Sequence, residues 1–268
     1  MKKNRRTSAM MAELLNNPCK MFDSAHFCKK YDVAKSSLSE DIRTINEMLE
    51  ETGDGRIESY PGVGGGIKYV PSISEERIHD LQEKLCDVLN DSSRILGGGF
   101  LYTSDIMFDP HMVQRMARVF ADRFYTLNAD YVVTVETKGI PLASQVAFML
   151  NIPLVVVMRE AKYSEGSTVS INYFSGMNDR IRKMSLAKRA VEPGGKAVII
   201  DDFVRGGGSL KGIEEILQEF DIETVGIGVA LAAREPVKKK VNEYTAVAYV
   251  DEIDEENGII KISANESL

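Results

Sequence analysis

Lys196-Ala-Val-Ile-Ile-Asp201-Asp202-Phe203-Val204-Arg205-Gly206-Gly207-Gly208-Ser209-Leu-Lys-Gly-Ile213 is the stretch on which the reading of this chain turns. Four apolar residues, Ala197 to Ile200, predict a buried central strand. The spacing of Ile213, Ile216, Leu217 and Phe220 predicts an amphipathic helix after it. Between them lie two adjacent carboxylates, three glycines and a serine. Glycines at a strand-to-helix turn let backbone N–H groups face an anion, and the helix N-terminus adds its positive dipole end. Asp201 and Asp202 repel a phosphate but accept hydrogen bonds from sugar hydroxyls, or bind magnesium. The stretch therefore asks for vicinal hydroxyls and a phosphate one loop apart, as in a ribose 5-phosphate.

Outward from this motif the pattern alternates between strands and helices. A helix from Met112 carries Val113, Met116, Ala117, Phe120, Ala121 and Phe124 inward, and a strand over Tyr131–Val135 ends at Glu136-Thr137-Lys138-Gly139-Ile140-Pro141. After a further helix come a strand over Pro153–Met158 and a polar segment through residues 159–176. Thr224–Leu231 follows the central motif as another strand. Such alternation predicts an α/β fold, a doubly wound and mainly parallel sheet with ligands at the carboxyl ends of its strands. The three candidate loops, 136–141, 159–176 and 201–209, all leave from those ends.

Composition sets the limits. The chain has 268 residues, 44% hydrophobic and 27% charged, which suits a globular protein of two domains. The longest apolar run, Ile152 to Met158, is far shorter than the ~20 residues of a membrane span. Lys2, Lys3, Arg5 and Arg6 open like a signal peptide, but Glu13, Asn16 and Asn17 break any hydrophobic core. Cys19, Cys28 and Cys86 form no CxxC pair and suit a reducing, cytoplasmic setting; three scattered histidines suggest no metal site. The net charge of −7 divides unevenly: residues 1–45 carry +4 and the remainder −11. A basic head on an acidic body points to a head that alone approaches nucleic acid.

Within the head, Thr7–Asn16 reads as a first helix, and Ser24 as the cap of a short helix over Ala25–Lys30. A longer helix runs from Lys35 to about Glu51, with Leu38, Ile42, Ile45 and Leu49 as its buried stripe. Its other face presents Lys35, Ser36, Ser37, Ser39 and Arg43, the residue types that reach phosphates and base edges from a recognition helix. Gly55–Tyr60 and Ile67–Val70 alternate like two strands around a glycine-rich turn, the wing of a winged helix, with Lys68 expected near the DNA backbone. Arg5 and Arg6 join this set as candidate DNA contacts. The expected domains are thus a winged helix over residues 1–72 and a ligand-binding, dimerising body over residues 73–268. Ile73–Leu89 forms the connecting helix, and Gly97–Tyr102 a glycine-led strand entering the body.

The acidic pair and glycine loop resemble the phosphoribosyl pyrophosphate (PRPP) motif of the type I phosphoribosyltransferases. The strings Glu136-Thr-Lys-Gly-Ile-Pro-Leu-Ala143, Glu165-Gly-Ser-Thr-Val-Ser-Ile-Asn-Tyr173 and Met184-Ser-Leu-Ala-Lys-Arg189 resemble those of the bacterial purine repressors, head included. That resemblance implies a dimeric regulator of purine synthesis and salvage genes that binds double-stranded operator DNA and is released by PRPP. It implies that Asp201 and Asp202 hold the ribose hydroxyls and that the loop Arg205, Gly206, Gly207, Gly208 and Ser209 cradles the 5-phosphate; Phe203 and Val204 belong to the same PRPP-binding run, where Phe203 is either a purine-stacking ring or a core residue. Thr137, Lys138 and Gly139 would form the pyrophosphate loop, with Lys162 closing over it. Magnesium would accompany the pyrophosphate, and a purine nucleotide or guanosine polyphosphate could compete for the same cleft. Catalytic relatives place a small and a hydroxyl residue where this chain has Arg205 and Gly206. The expectation is therefore a sensor without turnover; the alternative is an active, xanthine-like purine phosphoribosyltransferase with an appended regulatory domain.

Overall fold

The structure, a computed structural model, describes the chain except Val63, residues 161–163, Glu165 and residues 176–179, together with the side chains of Ser175 and Arg180. At the N-terminus stand α1 (Lys3–Leu15), α2 (Ser24–Tyr31) and α3 (Lys35–Thr52), followed by the antiparallel hairpin β1 (Gly55–Tyr60) and β2 (Gly66–Pro71). Met10, Leu14, Phe27, Leu38, Ile45, Leu49, Ile67 and Tyr69 close into one small core, so the stripe expected on α3 is buried except for the half-buried Ile42. Asp23, not Ser24, caps α2: its carboxylate accepts from the Ala25 N–H at 2.9 Å. Gly53 ends α3 at φ +65°, a left-handed turn that glycine enters without steric cost.

Helix α4 (Glu75–Leu89) leads into the short hairpin β3 (Ile95–Leu96) and β4 (Phe100–Leu101), then α5 (Ser104–Met107) and α6 (Pro110–Phe124). The expected strand over Gly97–Tyr102 is this hairpin, folded back by Gly98 and Gly99, both at positive φ. The doubly wound part comprises β5 (Tyr131–Val135), α7 (Ile140–Leu150), β6 (Leu154–Val157), β9 (Lys196–Val204), α8 (Gly208–Gln218), β10 (Glu223–Ala233), β11 (Thr245–Asp254) and β12 (Ile259–Ala264). Between β6 and β9 stands the antiparallel hairpin β7 (Thr168–Ser175) and β8 (Arg180–Ala187). The polar segment expected over 159–176 is therefore half strand: its apolar Val169, Ile171 and Tyr173 pack on α8 through alternation too sparse to dominate its composition.

The six strands run in the order β12-β11-β10-β9-β5-β6, all parallel except β12. Helices α4, α6 and α7 cover one face, while α8 and the β7–β8 hairpin cover the other. Val198 and Ile200 face the first core; Ala197 and Ile199 face the second, as a central strand buried on both sides requires. No helix among the described residues is long and apolar enough to cross a membrane.

Candidate effector cleft and nucleic-acid face

Strand β9 outruns its neighbour. Its pairing with β5 ends at Val133↔Ile199, whereas its pairing with β10 continues to Ala232↔Val204. Beyond Ile199 one edge of the central strand is uncovered, and Asp201 and Asp202 stand at this step. The strand expected over Ala197–Ile200 extends to Val204 because β10 supplies backbone partners for the polar residues.

Above the step opens a cleft of about 940 Å³. Asp202, Phe203, Val204, Arg205, Gly206, Gly207, Gly208 and Ser209 line it together with Lys138. The loop turns into α8 at Gly207, with φ +78°, and the Lys240 N–H fixes it by donating to the Gly206 carbonyl at 2.9 Å. The first ladder bond of α8 runs from the Lys211 N–H to the Gly207 carbonyl. The N–H groups of Gly208, Ser209 and Leu210 precede it, and this is the geometry that receives a phosphate. Val204 is in the core at 2% exposure, so only its backbone is available to a ligand.

Asp201 lies behind the cleft surface, 5% exposed, and accepts from the Asp202 N–H at 2.9 Å. Burial pushes its carboxyl well above the ordinary range, and the charge of Asp202 adds to the effect. Burial raises Asp202 as well, while the hydrogen bond with Asp201 and the charge of Lys138 act in the opposite sense. The two carboxyls are too close and too dry to ionise together easily, so the charge is best carried by Asp202, at the cleft wall. Gly139 is buried against this pair: a methyl there would come within 2.6 Å of both Asp201 Oδ1 and Thr134 Oγ1. Thr137 is exposed on the same loop, and the peptide between Glu136 and Thr137 is cis. Lys162 falls outside the described residues.

Two cations of the cleft were not anticipated from sequence. Arg159 donates its N–H to Glu136 Oε2 at 3.1 Å and its Nε to the Glu136 carbonyl at 3.0 Å, tying the loop after β6 to the loop after β5. Arg182, on β8, lines the opposite side. With Lys138 and Arg205 they are the cations of a lining that also carries the carboxylates of Asp202, Glu235, Asp251 and Glu252. The glycine-led hairpin contributes Gly98, Gly99, Phe100 and Leu101 to the cleft lining, a role that composition did not distinguish from a simple entry strand.

On the N-terminal unit, Lys35, Ser36, Ser39 and Arg43 are exposed on α3 and Ser37 is half-buried. Arg5 is exposed on α1. Arg6 is not available as a DNA contact: it is 8% exposed, and its guanidinium grips Asp41 of α3 at 2.5 and 3.1 Å. Lys68 is half-buried, with its Nζ 5.0 Å from the ring centre of Tyr60 and 4.7 Å from that of Tyr125 in the body. Both cations satisfy buried or aromatic partners that lie far away in sequence.

Residues 2–71 match the N-terminal domain of the bacterial purine repressor, and residues 104–265 match the phosphoribosyl transferase domain. A probable purine biosynthesis transcriptional regulator, PurR, of Streptococcus pneumoniae is 42% identical over 93% of this chain and 91% of its own length. The chain belongs to the PurR family of purine biosynthesis transcriptional regulators. Within the PurR family it is also similar to the purine biosynthesis transcriptional repressor of Bacillus subtilis, 39% identical over 93% of this chain and 87% of that protein. The purine biosynthesis transcriptional activator of Lactococcus lactis is 36% identical over 98% and 97%. Among solved structures, adenine phosphoribosyltransferases of Thermoanaerobacter pseudethanolicus (TM-score 0.52, 17% identity, 61% of this chain and 96% of that one) and Saccharomyces cerevisiae (0.53, 16%, 63% and 97%) share the fold of the body.

Proposed function

We propose that this PurR-family protein is a DNA-binding repressor of purine biosynthesis and salvage genes that senses PRPP, and that PRPP lowers its affinity for DNA. One observation supports the reading: the carboxylate of Asp202, the glycine loop Arg205 to Ser209 and the cations Lys138 and Arg159 line one cleft, in a chain whose other end presents Lys35, Ser36, Ser39 and Arg43 exposed on α3. Asp202 accepts from the ribose hydroxyls, the N–H groups of Gly208 to Leu210 take the 5-phosphate, and Lys138 and Arg159 face the pyrophosphate. Magnesium would enter with the pyrophosphate that PRPP carries. A purine nucleotide or guanosine polyphosphate offers the same ribose and phosphates and would compete for the cleft. Repressors of this kind act as homodimers on paired half-sites.

The test is DNA affinity for a purine-gene upstream region, titrated against PRPP at fixed salt. Affinity should fall as PRPP rises, and the DNA complex should weaken steeply with salt. No salt-sensitive complex, or one indifferent to PRPP, overturns the reading.

A second reading has its own support. The xanthine phosphoribosyltransferase of an Exiguobacterium strain is 26% identical over 56% of this chain and 79% of its own length. Arg205 argues against turnover, since a fixed cation tightens ground-state phosphate binding without raising a rate. Steady nucleotide formation from PRPP with guanine, xanthine, hypoxanthine or adenine would favour the enzyme.

A further inference from the structure

The wing strands do not stand free of the body. Arg118, on α6, donates from Nη1 to Asp54 Oδ1 at 2.9 Å and to the Asp54 carbonyl at 2.8 Å. Arg77, on α4, reaches the same Oδ1 at 2.6 Å and the Gly53 carbonyl at 3.4 Å. Gly53 and Asp54 are the end of the recognition helix: the Asp54 N–H closes the last turn on the Leu49 carbonyl at 2.9 Å. Two arginines of the body thus sit where the negative end of the α3 dipole favours cations. A second grip lies one pleat further along the wing. Tyr125, immediately after α6, donates its hydroxyl to Glu58 Oε2 at 2.7 Å, and Arg56 lies 3.8 Å from Asp122 of α6. The wing in turn holds the recognition helix, since Asn46 Oδ1 on α3 accepts from the Ile57 N–H at 2.6 Å.

The same helix packs on the central sheet. Phe120 of α6 is fully buried in a notch over Gly228 of β10, where a methyl would meet its Cδ1 at 2.6 Å and Ile200 Cδ1 at 3.0 Å. Ile200 directly precedes Asp201. Helix α6 therefore packs on β10 beside Ile200, and two residues before Phe120 its Arg118 holds Asp54 at the end of the recognition helix.

We propose that α6 transmits the state of the cleft to the recognition helix, with Arg118 and Tyr125 as positioning residues that set how α3 is presented to DNA. The wing strands are then a coupling surface, and the half-buried Lys68 belongs to it. Two stacked, packed arrangements of such an element are what a two-state transmission needs. The effector in this inference rests on the PRPP reading above.

The test uses the full-length protein and the double variant Arg118→Met, Tyr125→Phe, which keeps side-chain length and ring packing. PRPP binding is measured by calorimetry, and DNA affinity with and without PRPP. In the wild-type protein the ratio of the two DNA affinities should fall within the roughly 5- to 150-fold range of ordinary allosteric coupling. In the variant the ratio should collapse toward one while PRPP still binds. A variant that keeps the wild-type ratio overturns the proposal. If PRPP fails to bind the wild-type protein, the effector reading fails instead, and a ligand-free arm still tests the coupling. Phe120→Leu, which loosens α6 on the sheet, should speed hydrogen exchange at the Ile57 amide, and should do so less when Arg118 and Tyr125 are also replaced. Equal acceleration in both backgrounds, or none in either, overturns it.

Discussion

Asp54 and Arg118 lie 64 residues apart, yet one guanidinium nitrogen of Arg118 satisfies two oxygens of Asp54, the carboxylate at 2.9 Å and the main-chain carbonyl at 2.8 Å. The contact fastens the end of the recognition helix to the body and makes their union depend on ionised carboxylates.

That dependence has a sign. Burial raises Asp54, but hydrogen bonds from Arg77 and Thr52 and the charge of Arg118 outweigh it and hold the carboxyl below its ordinary value. At Glu58 burial is likewise outweighed, by hydrogen bonds from Tyr60, Tyr125 and Arg56. A depressed carboxylate stabilises the folded state above its unfolded pKa and loses that contribution as pH falls through the folded value. Docking of the wing should therefore hold constant at neutral pH and loosen below roughly pH 4. Protease cleavage between residues 71 and 75, followed across a pH series, checks this; loosening that begins near neutrality would assign it to other groups.

Asp202→Ala should abolish the PRPP response and leave DNA binding intact. The side chain lines the cleft, to which no described residue of α3 contributes, and its removal takes away the proposed acceptor for the ribose hydroxyls. A variant that still releases DNA normally with PRPP would place the ribose elsewhere.

Asp201→Asn should make the protein more stable while weakening PRPP binding. Burial and the neighbouring Asp202 raise the Asp201 carboxyl, so the folded state favours its protonated form. The associated stability is present below the unfolded pKa and lost as pH rises through the folded one. At neutral pH the amide avoids that loss and still accepts from the Asp202 N–H. Roughly 1 kcal/mol would raise the melting temperature by about 2–4 °C for a chain of this size. The gain should vanish in acid, and melting curves at several pH values show whether it does.

Gly139→Ala should damage the cleft from behind. The new methyl would sit 2.6 Å from both Asp201 Oδ1 and Thr134 Oγ1, neither of which is the end of a long side chain. Overpacking of this kind costs about 1–3 kcal/mol. PRPP affinity should drop, and DNA affinity without PRPP should change little.

Arg6 and Lys35 should separate structural from DNA-facing cations. Arg6→Ala breaks the pair with Asp41 and should lower the melting temperature of the N-terminal unit. Lys35→Ala should leave melting unchanged and make the logarithmic salt slope of DNA binding shallower, by about 0.9 for each phosphate the lysine no longer neutralises. Unchanged melting in Arg6→Ala would return Arg6 to the DNA-contact set.

Much of the site was legible because its signals are local. The apolar run before Asp201, the carboxylates and the glycines lie within fourteen consecutive residues, so periodicity and turn chemistry identify strand, cradle and helix without tertiary information. The spacing of Leu38, Ile45 and Leu49 announced the recognition helix for the same reason. Less was legible where alternation is diluted by polar residues, as in β7 and β8, or where a segment such as β11 and β12 carries no chemistry to draw attention to it.

By itself, then, the sequence determined the parallel α/β body, the position of its acidic pair at a strand end, and a basic helical head. Tertiary structure alone decided which cations are free to meet a ligand. Arg6 is taken by Asp41, 35 residues away; Lys68 rests on Tyr125; and Arg159 and Arg182 reach the cleft. Local pattern sets which face of an element is apolar, but a charged side chain goes where a distant partner compensates the loss of its hydration. Only the docking of elements puts that partner within reach.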